Sequence, residues 1–206
     1  MATSETPMTW EVLKEVLQTN DIAKLYRSPE SLEKYRRRKQ QLAEANVSVH
    51  YNLLVNQLHW AEPSPGGELK GVKLDVKATD PRLFANEDDI LILENEFPYN
   101  FEKGMKHLVV WTKNFIEPDP HSALGDISPE TRSIIGLYVK KTFVDWLGYP
   151  QENILWFRNW SALQSVKSIA HIHVVIKDFD ESDLEKIVGT GGQPLNYEED
   201  FTSPRL

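Results

Sequence analysis

Two histidines, His171 and His173, are separated by one residue within ILWFRNWSALQSVKSIAHIHVVIK, residues 154–177. The segment reads as a strand, a Ser-rich loop and a second strand. Side chains alternate along a strand, so both imidazoles share one face while Ala170, Ile172 and Val174 share the other. Such a pair suits two chemistries. It can ligate a metal through neutral ring nitrogens, or attack a phosphorus centre with one ring as nucleophile and the other as its partner. The plainer alternative is two half-exposed strand histidines with no chemical role. Phosphoryl chemistry also needs donors for the phosphate oxygens. Ser165, Ser168 and the loop N–H groups can cradle an anion, with Arg158, Lys167 and Lys113 as nearby charge; the two serines can equally cap their own loop. Trp160 can line a pocket and stack on a flat substrate, or belong to the core with Trp111 and Trp156. His107 opens a strand, where it either faces the pair as a third metal ligand or is exposed at the strand end; exposure is the expectation. No metal and no cofactor is assigned.

A strand pair needs a sheet behind it. Residues 90–94 read as a short buried strand, and 107–113 (HLVVWTK) as a strand of strong β-formers. Segments 154–159 and 169–176 complete the set. Ser128-Pro129-Glu130 opens the strongest helix, with Ser as N-cap and Pro at the first helical position. Over 129–147, Ile134/Ile135, Tyr138/Val139, Thr142/Phe143 and Trp146/Leu147 recur to give one apolar face, and Gly148 stops the helix. Upstream, Thr9 caps a helix to about residue 19, Ser28-Pro29 opens another to about 45, and a third covers about 49–58. The breaker cluster Glu62-Pro-Ser-Pro-Gly-Gly separates these helices from the sheet-forming part. From Gly189 the chain is Gly/Pro-rich and acidic, and is expected to be extended or disordered. The fold class is α+β: an antiparallel sheet packed with helices and preceded by an N-terminal helical extension. The divisions are a helical region over 1–61, the α+β core over 62–188 and a tail over 189–206, within one compact domain overall.

Composition narrows the function. The chain has 206 residues, a formal net charge of −8 and no cysteine. The charge argues against nucleic acid and anionic membranes as partners. The run Arg36-Arg37-Arg38-Lys39 reads as a solvated helix face. Absence of cysteine excludes disulfides, thiolate zinc sites and a Cys nucleophile. The start MATSETPMTW shows neither a basic n-region nor an apolar h-region. No apolar run approaches the roughly 18–20 residues that span a bilayer. The expected location is therefore cytoplasmic. The stretch Gly189-Thr190-Gly191-Gly192 lacks the strand–Gly–helix context and the Lys of a P-loop.

Two resemblances follow from quoted segments. Over about 88–177, ILILENEFPYN, KHLVVWTK, the helix 129–147 and the series Asn159, Ser165 or Ser168, His171 and His173 resemble the histidine-triad (HIT-like) superfamily of nucleotide hydrolases and galactose-1-phosphate uridylyltransferases. With Ser168 five residues before the nucleophile, His173 takes the nucleophilic place and His171 the first-His place, and Val175 stands where the third His would be. The uridylyltransferase branch has a phosphate-contacting Gln there, which Val175 cannot replace. In the alternative register His171 is the nucleophile and His173 the third His, and Ile169 replaces the first; the former register is the expectation. Asn95 and Asn159 are the superfamily-like candidates for substrate contact, although Asn95 also suits turn chemistry before Phe97-Pro98. Over nearly the whole chain, TWEVLKEVL…LYRSPESLEKY, ENEFPYNFEKGMKHLVVWTK and ILWFRNWSALQSVKSIAHIHVV resemble the fungal N-acetylglucosamine-induced protein family. That family tends to have an acidic residue before the first His, where this chain has Ala170.

The HIT-like resemblance implies a hydrolase or transferase for a nucleotide or sugar phosphate. His173 and His171 would be catalytic, and Asn159, Ser168, Ser165, Asn95, Trp160, Arg158 and Lys167 would bind substrate. Two other classes remain: the same pocket used for elimination, isomerisation or cyclisation of a small metabolite, and a ligand-binding module without catalysis. The partner is in each case a small molecule. The superfamily also implies a two-fold homodimer, unless the N-terminal helices cover that surface.

Overall fold

A computed structural model describes residues 3–63, 74, 76–164 and 166–201. The chain forms two compact units, one comprising Met1–Lys77 with Asn95–Lys103, the other Ala78–Glu94 with Gly104–Leu206.

The second unit holds the sheet. Strands β1 (Ile90–Glu94), β2 (Met105–Thr112), β3 (Ile154–Phe157) and β4 (Ala170–Lys177) lie in the order β1-β2-β4-β3, every neighbour antiparallel. The α+β class and all four expected strands are therefore present, with β3 ending just before Arg158 and Asn159. Alternation sorts the side chains. Ile92, Leu108, Val110, Ile172, Val174 and Ile176 are fully buried and pack in one cluster with Ile135, Tyr138, Val139 and Phe143. This is the apolar face expected of the helix packed against the sheet. The opposite parity carries His107, Val109 and Trp111 on β2 and His171, His173 and Val175 on β4. Their register pairs Trp111 with His171, Val109 with His173 and His107 with Val175.

Helices α1 (Trp10–Gln18), α2 (Pro29–Glu44) and α3 (Val49–Tyr51) belong to the first unit, and α4 (Pro129–Val139) to the second. Helix α4 starts as its sequence dictates, Ser128 Oγ accepting from the Thr131 N–H at 3.2 Å with Pro129 behind it. It does not run on as one α-helix. Residues Lys140–Trp146 are π-helical, so bonds now span five residues and the stripe drifts around the axis. Trp146, expected on the buried face, is 43% exposed for that reason. Gly148, at φ +86°, ends the segment, and its N–H donates to the Val144 carbonyl.

The chain after Gly189 corrects the expected extended tail. Gly189 N–H donates to the Ile92 carbonyl and Ile92 N–H to the Thr190 carbonyl, both at 2.8 Å. Tyr138 OH donates to the Gly191 carbonyl at 2.8 Å, and Leu195 is buried. A short helix, α6, covers Tyr197–Asp200, after α5 (Leu184–Ile187). Local composition suggested no structure; tertiary hydrogen bonds supply it.

In the first unit, Thr9 and Ser28 cap α1 and α2 as expected. α3 continues as a π-helical stretch over Asn52–Gln57. The Asn95–Lys103 segment, assigned by sequence to the core, joins this unit. Met8 N–H donates to Asn100 O at 2.7 Å and Arg27 Nε to Phe97 O at 2.9 Å. Most of the breaker cluster at 62–67 lies outside the described residues.

Candidate functional site

The HxH strand presents both imidazoles on one face, and both are buried, His171 at 6% and His173 at 7% exposure. Each is held differently. His171 Nδ1 lies 3.0 Å from the Ile169 carbonyl. A carbonyl only accepts, so Nδ1 carries the proton and Nε2 keeps its lone pair. Burial pushes the His171 pKa down to about 4; the carbonyl contact opposes this, and the positive charge of Arg158 adds to it. At neutral pH the ring is uncharged. The Trp111 indole lies against it, ring centroids 4.5 Å apart.

His173 has a partner at each nitrogen. Asn159 Nδ2 donates to Nε2 at 3.2 Å, which leaves the proton on Nδ1, 3.0 Å from His107 Nε2. Phe157, paired with His173 across β3 and β4, stacks on the ring at 4.8 Å between centroids and 12° between planes. Of the two rings, His171 is the one held by a backbone carbonyl. The rings stand edge to face, 5.4 Å apart.

His107 corrects a second expectation. It is 4% exposed, not solvated at a strand end. The signal was its parity: His107 and Trp111 share a face of β2, and the antiparallel register sets His107 diagonally across from His173. It joins the pair through its hydrogen bond to His173. Among the described residues no three His, Asp or Glu side chains are grouped as a metal ion requires.

Asn159 sits where β3 gives way to the loop, and Gln164 Nε2 donates to its carbonyl at 2.8 Å, closing the chain around it. Arg158 is 7% exposed, and its Nη2 donates to the Ile116 carbonyl at 3.2 Å. Trp160 is half-buried with its Nε1 inside. Lys167 and Ser168 are exposed, and Ser165 lies outside the described residues. Lys113 faces the buried Asp89 carboxylate at 3.5 Å. Asn95 belongs to the first unit, where its Oδ1 accepts from the Phe97 N–H at 3.0 Å, an Asx-turn.

A family model described as "Protein of unknown function (DUF3605)" matches residues 9–177. The N-acetylglucosamine-induced protein 1 of Candida albicans is 36% identical over 198 residues, covering 94% of this chain and 78% of its own. The uncharacterized protein YPL067C of Saccharomyces cerevisiae is 28% identical over 167 residues, 81% of this chain and 77% of its own. The crystal structure of HTC1 superposes with a TM-score of 0.66 at 25% identity, covering 91% of this chain and 99% of that one.

Proposed function

The chain belongs to the DUF3605 family, and we propose that it is an enzyme in which His171 is the reactive group, acting on a nucleotide or sugar phosphate. One observation carries this: His171 is neutral, with Nδ1–H committed to the Ile169 carbonyl and the lone pair left on Nε2. That is the state a nucleophilic imidazole needs. It accords with the HIT-like register in which His171 is the nucleophile. The missing first histidine, Ile169, still contributes, because the contact comes from its backbone. His173, fixed at both nitrogens by Asn159 and His107, is a positioning residue in this reading.

The step balances simply. The Nε2 lone pair attacks phosphorus and a P–N bond forms. The P–O bond to the leaving group breaks, and its electron pair stays on that oxygen. The ring becomes a phosphorylated cation whose charge the Nδ1–H···O=C contact stabilises. Water or another hydroxyl then attacks phosphorus, the P–N pair returns to Nε2, and the attacking oxygen's proton passes to the departed oxygen or to solvent. Water gives hydrolysis; another hydroxyl gives transfer. The net charge of −8 favours a small molecule over a nucleic acid polymer as substrate.

One residue favours a second reading. The buried Ile169 side chain offers no polar group where, in this register, the first histidine would stand, so Nε2 would instead serve as a general base on a non-phosphorylated metabolite.

The test is a panel of nucleotides and sugar phosphates, amino-sugar phosphates first because the Candida relative's name records that inducer. Wild type and His173→Ala should form an acid-labile phosphohistidine, while His171→Ala should not. Labelling that persists in His171→Ala would refute the assignment. Turnover without any label, lost in His171→Ala, would select general-base chemistry.

A further inference from the structure

We infer that the buried guanidinium of Arg158 and the indole N–H of Trp160 form an oxyanion subsite that holds a phosphoryl group. This rests on the reading that the substrate is phosphorylated. Arg158 follows β3 directly and is 7% exposed. Its Nη2 has the Ile116 carbonyl, but Nε and Nη1 are buried with no acceptor. Two residues on, the Trp160 Nε1 is also buried without one. Buried charged donors are costly to leave unpaired, and folded proteins rarely do so without reason.

The neighbouring carboxylate does not fill the gap. Asp126 is close enough for its charge to act on Arg158, yet its two oxygens accept from Arg132 Nη2 at 3.1 and 2.9 Å. No ion pair to Arg158 is found among the described residues. The missing partner is thus an acceptor, and guanidinium donors left unpaired at Nε and Nη1 suit an oxyanion. Its place fits the chemistry. The next residue, Asn159, bonds His173, and the charge of Arg158 is felt at His171.

Inorganic phosphate is the probe, titrated calorimetrically into the full chain at fixed ionic strength, with acetate and chloride as controls. Wild type and His171→Ala should bind phosphate with Kd values within about threefold, since the imidazole is not the anion's anchor. Arg158→Gln should bind at least about tenfold more weakly, the loss of a charge-assisted contact. Arg158→Lys keeps the charge without the planar set of donors and should fall between; it also serves if Arg158→Gln does not fold. Equal binding by wild type and Arg158→Gln, or no phosphate binding by wild type beyond the chloride control, would overturn the subsite. Acetate binding as tightly as phosphate would overturn the phosphoryl assignment. Phosphate binding that depends on Arg158, in a protein that never forms phosphohistidine, would leave the subsite standing and sink the nucleophilic role of His171.

Discussion

His173 Nδ1 and His107 Nε2 lie 3.0 Å apart across the neighbouring strands β4 and β2, in a contact between two buried rings. Buried away from water, such a bond has nothing to replace it once it is lost. His107→Phe fills a similar volume but removes the buried acceptor that the His173 N–H faces. We expect a loss of about 1–3 kcal/mol of stability, read as a lower denaturation midpoint in urea. An unchanged midpoint would show that the bond contributes nothing.

The direction of the same chain is set at its other end. The Asn159 amide donates to His173 Nε2, so His173 is protonated at Nδ1. Asn159→Asp replaces that donor by an acceptor. The His173 proton should move to Nε2, and the bond to His107 must then reverse. Ring ¹⁵N shifts report the tautomer directly. Turnover should fall while KM changes less, because His173 positions rather than binds. A variant that keeps the wild-type tautomer would break this account.

The low pKa of His171 makes stability depend on pH. The unfolded residue takes up a proton near 6.5 and the folded one only near 4. Between these values the unfolded chain binds a proton that the folded chain refuses. The contribution is therefore complete above about pH 6.5 and is lost as pH falls toward 4, at up to about 1.4 kcal/mol per pH unit. Urea unfolding at pH 7.5 and pH 5 should show wild type losing more stability than His171→Asn. Parallel losses in the two proteins would place the titrating group elsewhere.

Gly192 tests how the last segment is held. It sits at φ +65°, and a Cβ there would lie 2.6 Å from Thr142 Cγ2 and 2.8 Å from Tyr138 OH. Gly192→Ala should cost at least about 1 kcal/mol, visible as a lower Tm. A neutral result would mean that the segment yields freely.

Much of the sheet was legible because each strand announces itself locally. HLVVWTK and HIHVVIK are dense in β-formers, and Ser128-Pro129 marks a helix start whatever lies around it. The facing of His171 and His173 likewise follows from alternation alone. What could not be read depends on partners distant in sequence. The place of His107 rests on a β2–β4 register that no single strand encodes. The preference for His173 as the reactive ring rests on spacing to Ser168, whereas the proposal for His171 rests on which ring meets the Ile169 carbonyl. The turn at Asn95 was legible as the alternative to substrate contact, because its bond to Phe97 is local, whereas the ordering after Gly189 was not, because Ile92 and Tyr138 supply its bonds.

The pair of hydrogen bonds that Ile92 makes with Gly189 and Thr190 bears on how this molecule behaves in company. Strand β1 closes one side of the sheet, and among the described residues its neighbouring strand is β2. Its outer N–H and C=O groups are an invitation to another chain's strand. The returning segment occupies that row at Ile92, acting as a built-in guard against self-templating. A chain ended before Gly189 should lose the guard, and light scattering should then show association that grows with concentration. Its absence would mean that β1 is shielded by other means.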